Sequence, residues 1–419
     1  ELDLAYVGVI DGHDVGALRS AIGGALGAGR PVVVHIHTVK GKGFAPAEEG
    51  GLVGMEKWHA AKPGSIVGRQ PADAKPVPVK ESDSPASIAP EKLEPPKPPA
   101  PPQYTAVFAD AMIAEAQRDK RVIGITAAMA GGTGLDKLCK EVPEQYYDVG
   151  IAEQGAVLFA AGLALQGAKP VCAIYSTFLQ RAFDQLVHDV CLQELNVVFA
   201  MDRAGLVGDD GPTHHGAFDV SYFRPLPNVT LMAPRDEAML VHMLRTALAH
   251  DGPIALRYPR GAAEGVPLPG RPQEVPIGTG ELLAEGERVA LLGYGYGVQV
   301  ALEAAGLLGE HDLSVTVADG RFAKPLDTEL ARRLAREHEL VVTIEENVLA
   351  GGFGSAVLEH LEDAFADPGA RARVMRVGLP DRYVTHGKPA LLREEVGFTG
   401  EGVAERVLAA LRSPQAVLG

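Results

Sequence analysis

Several ingredients are scarce in this chain, and each scarcity removes a class of protein. Only 3 cysteines occur in 419 residues, Cys139, Cys172 and Cys191. The odd number and the spacings fit no zinc motif, and Cys172 and Cys191 sit in apolar segments as small core side chains. They read as reduced thiols, which favours a cytoplasmic protein. Long apolar runs are missing: the stretch around Gly155 to Gly167 is too short and too glycine-rich to span a bilayer. No basic segment precedes an apolar one, so no signal peptide is expected. Positive charge is in deficit, with 39 Lys and Arg against 54 Asp and Glu, a net charge of −15 and a pI of about 5.4. Such a surface repels nucleic acid and anionic membrane, so neither is an expected partner. Small anionic substrates stay open, because a local cluster of Arg and His can override the overall field.

What remains is an ordinary globular composition, 46% hydrophobic and 22% charged, at a length suited to two or three domains. The chain starts at Glu1 and is strand-like from Leu4 to Ile10, which reads as a start inside a domain. A helical run over Val15 to Leu26 leads to a β-branched strand, Val32 to His37, and then Lys40-Gly-Lys-Gly43. That is one βα unit and a loop, too little for a stable domain alone. Residues 71–102 hold 11 prolines among Lys, Glu, Ser and Ala. They cannot bury enough surface to offset ordering entropy, so an extended linker is expected.

Beyond the linker, helices and strands alternate. Strands are expected at Val122–Thr126, Tyr147–Val149, Val171–Tyr175, Val197–Asp202 and Ile254–Tyr258. Helices are expected at Ala106–Gln117, Glu153–Leu165, Phe178–Leu192 and Glu237–Ala249. After a Pro/Gly-rich passage, Gly265 to Gly278, a second α/β run has strands at Val289–Leu292, Ser314–Val317, Leu340–Ile344 and Val374–Val377. Its helices are Val298–Leu308, Thr328–Glu337 and Ser355–Leu361. This alternation implies mostly parallel sheets covered on both faces. The expected class is α/β: two doubly wound domains, 104–268 and 276–419, a linker at 69–103, and at 1–68 the remnant of a first α/β domain.

In doubly wound sheets, ligands bind beyond the carboxyl ends of the strands. Four such segments are rich in chemistry. Gly150-Ile-Ala-Glu-Gln154 places Glu153 at the start of an apolar helix, either as a first-turn charge favoured by the dipole or as a partly buried proton holder. Tyr175-Ser-Thr-Phe-Leu-Gln-Arg181 can be a capped helix start, yet packing gives Tyr175 and Arg181 little reason to be there. The loop from Asp202 to Gly216 is long, glycine-dense and polar, with Asp210, His214 and His215. It suits acid/base work better than metal binding, since no third ligand is fixed by spacing. Arg260, with Arg203, either clamps a phosphate or is plain surface charge. Gly293 to Gly297 fails the dinucleotide pattern, because position 298 is Val. Gly351-Gly-Phe-Gly354 precedes a helix and suits either a phosphate or a tight turn. His35 and His37 share a strand face and read as structural.

Taken together these segments resemble the 1-deoxy-xylulose-phosphate synthase family, a branch of the transketolase-like enzymes. Tyr6 to Asp14 and Lys40 to Glu48 look like the end of that family's first domain. Gly150 to Gln154, Ile174 to Gln185 and Asp202 to Asp219 look like its pyrimidine-binding domain. Asp319 to Asp327 and Glu345 to Ser355 look like its C-terminal domain. The resemblance implies thiamine diphosphate and Mg²⁺ as cofactors, and pyruvate and glyceraldehyde 3-phosphate as substrates. It further implies that Glu153 hydrogen-bonds the aminopyrimidine ring, that Phe178 stacks on it, and that Ile151 lines the cofactor. Arg203 and Arg260 would bind the aldehyde's phosphate. Tyr175, Arg181, Asp210 and His214 would contact substrate, with His59 near the reacting centre. A homodimer is also carried over from the family.

Two departures matter. The family's Gly-Asp-Gly motif with a later Asn, which holds Mg²⁺ and the diphosphate, has no counterpart here, so no metal ligands are expected and this chain alone should bind the cofactor poorly. The missing segment would have to come in cis or in trans. Gly155 stands where many relatives have His. Two other readings stay open: a C-terminal subunit of a transketolase or 2-oxo-acid dehydrogenase, and a non-catalytic dimerisation module of the same fold.

Overall fold

A computed structural model of the chain describes residues 4–39, 41–48, 100–367 and 371–412. Its contacts divide it into two units, Glu1–Pro96 and Lys97–Gly419. Residues 69–99 of the expected linker, and His59, lie outside the described residues.

In the first unit, strands β1 (Ala5–Asp11) and β2 (Val32–His37) pair in parallel through the helix Val15–Leu26. Asp14 caps that helix, its carboxylate accepting from Ala17 N at 3.0 Å. The helix buries none of its residues, and Tyr6, Val9 and Leu26 stand in solvent. Tyr6 Oη meets His35 Nδ1 at 2.7 Å, and His13 Nε2 accepts from Val39 N at 2.7 Å. His35 thus holds local structure, as its strand position suggests.

The second unit contains two sheets. Its strands are β3 (Val122–Thr126), β4 (Tyr146–Asp148), β5 (Lys169–Tyr175), β6 (Val198–Asp202), β7 (Thr230–Met232), β8 (Ile254–Arg257), β9 (Glu281–Ala284), β10 (Val289–Tyr294), β11 (Thr316–Asp319), β12 (Phe322–Lys324), β13 (Leu340–Val348) and β14 (Arg373–Leu379). The first sheet runs β12-β7-β8-β6-β5-β3-β4 and the second β14-β13-β10-β11-β9. All pairings are parallel except those of the edge strands β12 and β9. The central strands β6 and β8 are buried along their whole length, which is why they read as unbroken apolar runs.

The chain order hides one connection. β12 follows β11 of the second sheet, yet it pairs antiparallel with β7 of the first, Phe322 opposite Met232. Lys324 reinforces the crossing by donating to the carbonyls of Arg224 (2.9 Å) and Leu226. The Asp319–Asp327 motif is therefore a clasp between the two sheets. Asp319 is buried and held by Arg235 Nη1 at 3.0 Å. A second clasp is Arg257, which is held by Asp219 at 2.8 Å and the Gly216 carbonyl and crosses to the second sheet by donating to the Glu346 carbonyl at 3.1 Å.

The expected continuous helix Phe178–Leu192 is instead a broken one. It runs as short α-turns at Ser176–Leu179 and Phe183–Gln185, a 3₁₀ turn at Gln180–Ala182 and a π turn at Leu186–Cys191. The changes of pitch let Leu179, Ala182, Leu186, Val190 and Cys191 all reach one core.

Candidate active site

Six parallel strands, β3 to β8, deliver their carboxyl ends to one edge of the first sheet, where such folds place ligands. Tyr175 ends β5 and lies directly opposite Asp202, which ends β6. Arg203 follows with a left-handed φ of 63°, uncommon for a non-glycine residue and typical of constrained sites. Its guanidinium lies 3.7 Å from the centroid of the Tyr175 ring. Phe178 stacks on Tyr175 at 5.7 Å and meets His214 edge-on at 5.1 Å.

The Asp202–Asp219 loop is pinned at its base, where Gly205 and Gly216 exchange two backbone hydrogen bonds of 2.8 Å. Gly205 has a φ of 78°, and a Cβ there would collide with the Glu346 carboxylate, so the position needs glycine. Farther along, His215 is buried; its Nδ1 accepts from Val207 N at 3.1 Å and its Nε2 donates to Thr385 O at 3.2 Å. His215 thus ties the loop to the second sheet's domain, while His214 turns toward Phe178. Thr213 Oγ1 lies 2.8 Å from His214 Nδ1, and Thr177 Oγ1 donates to Thr213 O at 3.2 Å.

Charge gathers at the same place. Arg260 Nη1 meets Asp210 Oδ2 at 2.9 Å. Burial holds the His214 imidazole below its usual value; Asp210 pulls it up, and Arg203 and Arg260 push it down. Burial also raises the Tyr175 phenol, with Arg203 and Arg260 opposing. Tyr175, Phe178, Arg203, Asp210, His214 and Arg260 therefore form one electrostatic neighbourhood.

Glu153 opens the helix Glu153–Leu165 and is 2% exposed. Its Oε2 lies 3.0 Å from Arg181 Nη1, but the approach does not have the direction of a hydrogen bond. A buried carboxylate oxygen without a donor is costly unless something supplies one. Phe178 precedes Arg181 by one turn. A buried carboxylate lacking a hydrogen-bond donor suits a ligand that brings a proton to share with it. Ile151 stands two residues before Glu153 and is 76% exposed, outside the packed group. At Gly155 a Cβ would meet only Ala152 at 3.6 Å, so packing does not require glycine there.

One part of the site escaped sequence reasoning. The loop after β3 enters it through Met129, whose sulfur accepts from Tyr175 N at 3.3 Å, and Gly132, whose carbonyl accepts from Arg203 Nη1 at 2.6 Å. Ala128, with a φ of 59°, donates to Asp148 at 2.8 Å. The signal was present in Ala-Met-Ala-Gly-Gly-Thr-Gly, a small-residue run just past a strand. Of the two readings left open at Gly351–Gly354, the phosphate site is not the one formed. The helix start at Gly351–Gly354 is taken by Glu345, whose oxygens accept from Phe353 N (2.6 Å) and Gly354 N (2.8 Å), leaving it to a side chain and not to a phosphate. Among the described residues, no group of three or more His, Cys, Asp or Glu is placed to hold a metal, and no helix is long and apolar enough to cross a membrane.

Comparison with known proteins agrees with this geometry. The family described as "Transketolase, pyrimidine binding domain" matches residues 100–265, and "Transketolase, C-terminal domain" matches 278–403. The chain is 50% identical to 1-deoxy-D-xylulose-5-phosphate synthase 1 of Geobacter sulfurreducens, over 100% of this chain and 61% of that protein. It is 49% identical to the 1-deoxy-D-xylulose-5-phosphate synthase of Thermomicrobium roseum, over 98% of this chain and 60% of the relative. The chain thus spans about 60% of the length of the relatives it matches. Among solved structures, a split-gene transketolase, described as an inactive β4 tetramer, is 31% identical with a TM-score of 0.66, covering 74% of this chain and 98% of that one. A Campylobacter jejuni transketolase shares the fold alone, at 19% identity and a TM-score of 0.61, over 73% of this chain and 46% of its own.

Proposed function

This chain belongs to the 1-deoxy-D-xylulose-5-phosphate synthase branch of the transketolase-like family, and from that premise we propose that it forms the pyrimidine-binding and C-terminal part of an enzyme condensing pyruvate with D-glyceraldehyde 3-phosphate, with loss of CO₂. What carries the proposal is Glu153, a buried carboxylate whose Oε2 has Arg181 at 3.0 Å but no hydrogen-bond donor. When bound, thiamine diphosphate supplies the carbon nucleophile for pyruvate and the sink for the electron pair that CO₂ leaves behind. Glu153 would hold a proton shared with a ring nitrogen of the aminopyrimidine and so fix its orientation. Phe178 covers the ring face, and Ile151 meets the cofactor from the exposed side. Arg203 and Arg260 bind the aldehyde's phosphate through their planar forks. Arg260 exchanges its contact with Asp210 for the phosphate as substrate arrives. Arg181 moves from Glu153 toward the carboxylate of pyruvate. His214, kept neutral by burial, passes a proton to or from the acceptor's oxygen, with Asp210 and Tyr175 aligning it. His59, for which the resemblance alone implies a place near the reacting centre, lies outside the described residues.

The diphosphate and its Mg²⁺ are assigned to a further domain, supplied in cis or in trans. Exposed apolar side chains at Tyr147, Ile151, Leu158, Leu165, Phe183 and Leu192 offer a surface for that domain or for a second copy in a homodimer. The reduced core cysteines accord with a cytoplasmic protein. The 31% identity to a split-gene transketolase chain favours a second reading, a subunit that exchanges ketol groups between sugars. Product analysis separates the two. The complete protein, given pyruvate and glyceraldehyde 3-phosphate, should release CO₂ and a deoxyketose phosphate. Transfer between sugar phosphates with no CO₂ would overturn the synthase reading.

A further inference from the structure

Asp202 has no role in the scheme above, yet it is the most constrained polar group beside it. It is fully buried, and both of its oxygens are engaged. Thr105 Oγ1 donates to Oδ2 at 2.7 Å, and Arg203 Nη1 donates to Oδ1 at 3.0 Å. The same Nη1 donates to the Gly132 carbonyl at 2.6 Å. Tyr175, paired with Asp202 across β5 and β6, lies under the guanidinium plane at 3.7 Å. Three elements thus fix one corner and one face of this group: the helix carrying Thr105, the loop carrying Gly132, and the strand pair. What the pinning leaves is the other edge. Arg203 Nε is buried and has no hydrogen-bond partner. Nε and Nη2 form the side-on fork that matches two oxygens of a phosphate. Burial pushes the Asp202 carboxyl up to about 6 and Arg203 holds it down, so it is mostly ionised at neutral pH.

We propose that Asp202 and Thr105 are positioning residues that lock Arg203 with its Nε edge presented to the acceptor, making the site selective for an aldehyde bearing a terminal phosphate. The proposal rests on the reading that Arg203 binds the acceptor's phosphate. It concerns how that arginine is held, which that reading leaves open. The sign of the effect is informative. Removing a negative charge beside an anion site should, by Coulomb's law alone, tighten anion binding. Weaker binding can come only from a guanidinium that has lost its orientation.

The test uses two readouts. In the complete protein, KM and kcat are measured with D-glyceraldehyde 3-phosphate and with unphosphorylated D-glyceraldehyde. Asp202→Ala should raise KM for the phosphorylated acceptor on the order of tenfold, the worth of a hydrogen bond to a charged group. It should leave kcat, and KM for glyceraldehyde, within about twofold. Asp202→Asn, which keeps an acceptor for Arg203, should recover most of the loss. Thr105→Val, a milder change, should shift KM the same way by about threefold, and it decides the matter if Asp202→Ala does not fold. Equal losses on both acceptors, or tighter phosphate binding in both Asp202 variants, would overturn the proposal. The second readout is inorganic phosphate titrated into this 419-residue chain. It tests the lock without turnover: Asp202→Ala weakens phosphate binding if the lock is real, and leaves it unchanged or tightens it if not. A complete protein with no condensation activity, but with this phosphate effect intact, would sink the functional reading and spare the lock.

Discussion

Gly132→Ala puts the smallest possible perturbation at the most crowded point of the site. A Cβ there would fall within bonding range of Tyr175 Oη, 2.7 Å from Cζ and 3.0 Å from Cε1. The ring cannot swing freely, because Arg203 lies over it at 3.7 Å and Phe178 stacks at 5.7 Å. Either Tyr175 shifts, taking the Arg203 guanidinium with it, or the loop after β3 backs away and breaks the 2.6 Å bond from Arg203 to Gly132 O. Overpacking of this kind costs roughly 1–3 kcal/mol in stability, a fall of several degrees in Tm for a unit of this size. A shift near 1 Å at a catalytic group costs on the order of 10²-fold in rate. The variant should therefore fold, melt slightly lower, and lose far more turnover than stability. Tyr175→Phe removes the atom in worst collision, so Gly132→Ala/Tyr175→Phe should be more stable than the two single changes sum to, which a double-mutant cycle reads directly. The assay is decarboxylation and condensation in the complete protein, with Tm alongside. A Gly132→Ala protein with unaltered turnover, or an additive cycle, would refute this placement of Tyr175.

Three further outcomes follow from the same geometry. Arg257→Met leaves Asp219 buried without its 2.8 Å partner, and should cost ~3–5 kcal/mol in denaturant unfolding; a cost below ~1 kcal/mol would mean the clasp between the sheets is not formed. Asp327→Ala removes the cap on Leu330 N (2.9 Å) and the bond to Gly280 N (2.7 Å), and should cost about 1 kcal/mol or more in the same measurement. Burial pushes the Glu345 carboxyl up to about 7, the Phe353 and Gly354 amides opposing. A raised value means protons bind the folded state more tightly. The contribution of Glu345 is thus fully present below its unfolded value near 4.5 and is lost as pH rises through about 7. Stability of wild type relative to Glu345→Gln should fall from about pH 4.5 to about pH 7 and level off above, by ~3 kcal/mol at most; a flat difference across that window would refute the assignment.

Local structure was legible wherever local rules decide it. The helices Glu237–Ala249 and Thr328–Glu337 could be placed to the residue, because Asp236 and Asp327 cap them and accept from Met239 N and Leu330 N. Strand β3 was legible from its apolar run between turns. The residues Glu153, Tyr175, Arg203, Asp210, His214 and Arg260 were nominated because they lie in loops after strands, and all but Glu153 share one electrostatic neighbourhood around Tyr175 and His214; Phe178, nominated by the resemblance alone, packs against the Tyr175 and His214 rings. What stayed hidden depends on distant partners. Three residues, Phe322–Lys324, cross to the other sheet because Met232 and the Arg224 carbonyl await them there. The helix start at Gly351 looked free because Glu345, which fills it, lies on a neighbouring strand. The pitch changes after Tyr175 answer to a core formed from several elements. Gly132 was missed because its importance lies in a carbonyl and an absent side chain, neither of which a residue pattern displays.

The central claim is that the buried Glu153 carboxylate engages the cofactor's ring. Its most direct test is Glu153→Ala in the complete protein, with turnover of pyruvate and glyceraldehyde 3-phosphate measured beside thiamine diphosphate affinity and the affinity for inorganic phosphate. The account predicts turnover lower by 10²-fold or more, the scale of a lost acid/base partner, with phosphate affinity unchanged because Arg203 is held independently. Near-normal turnover at saturating cofactor would contradict it.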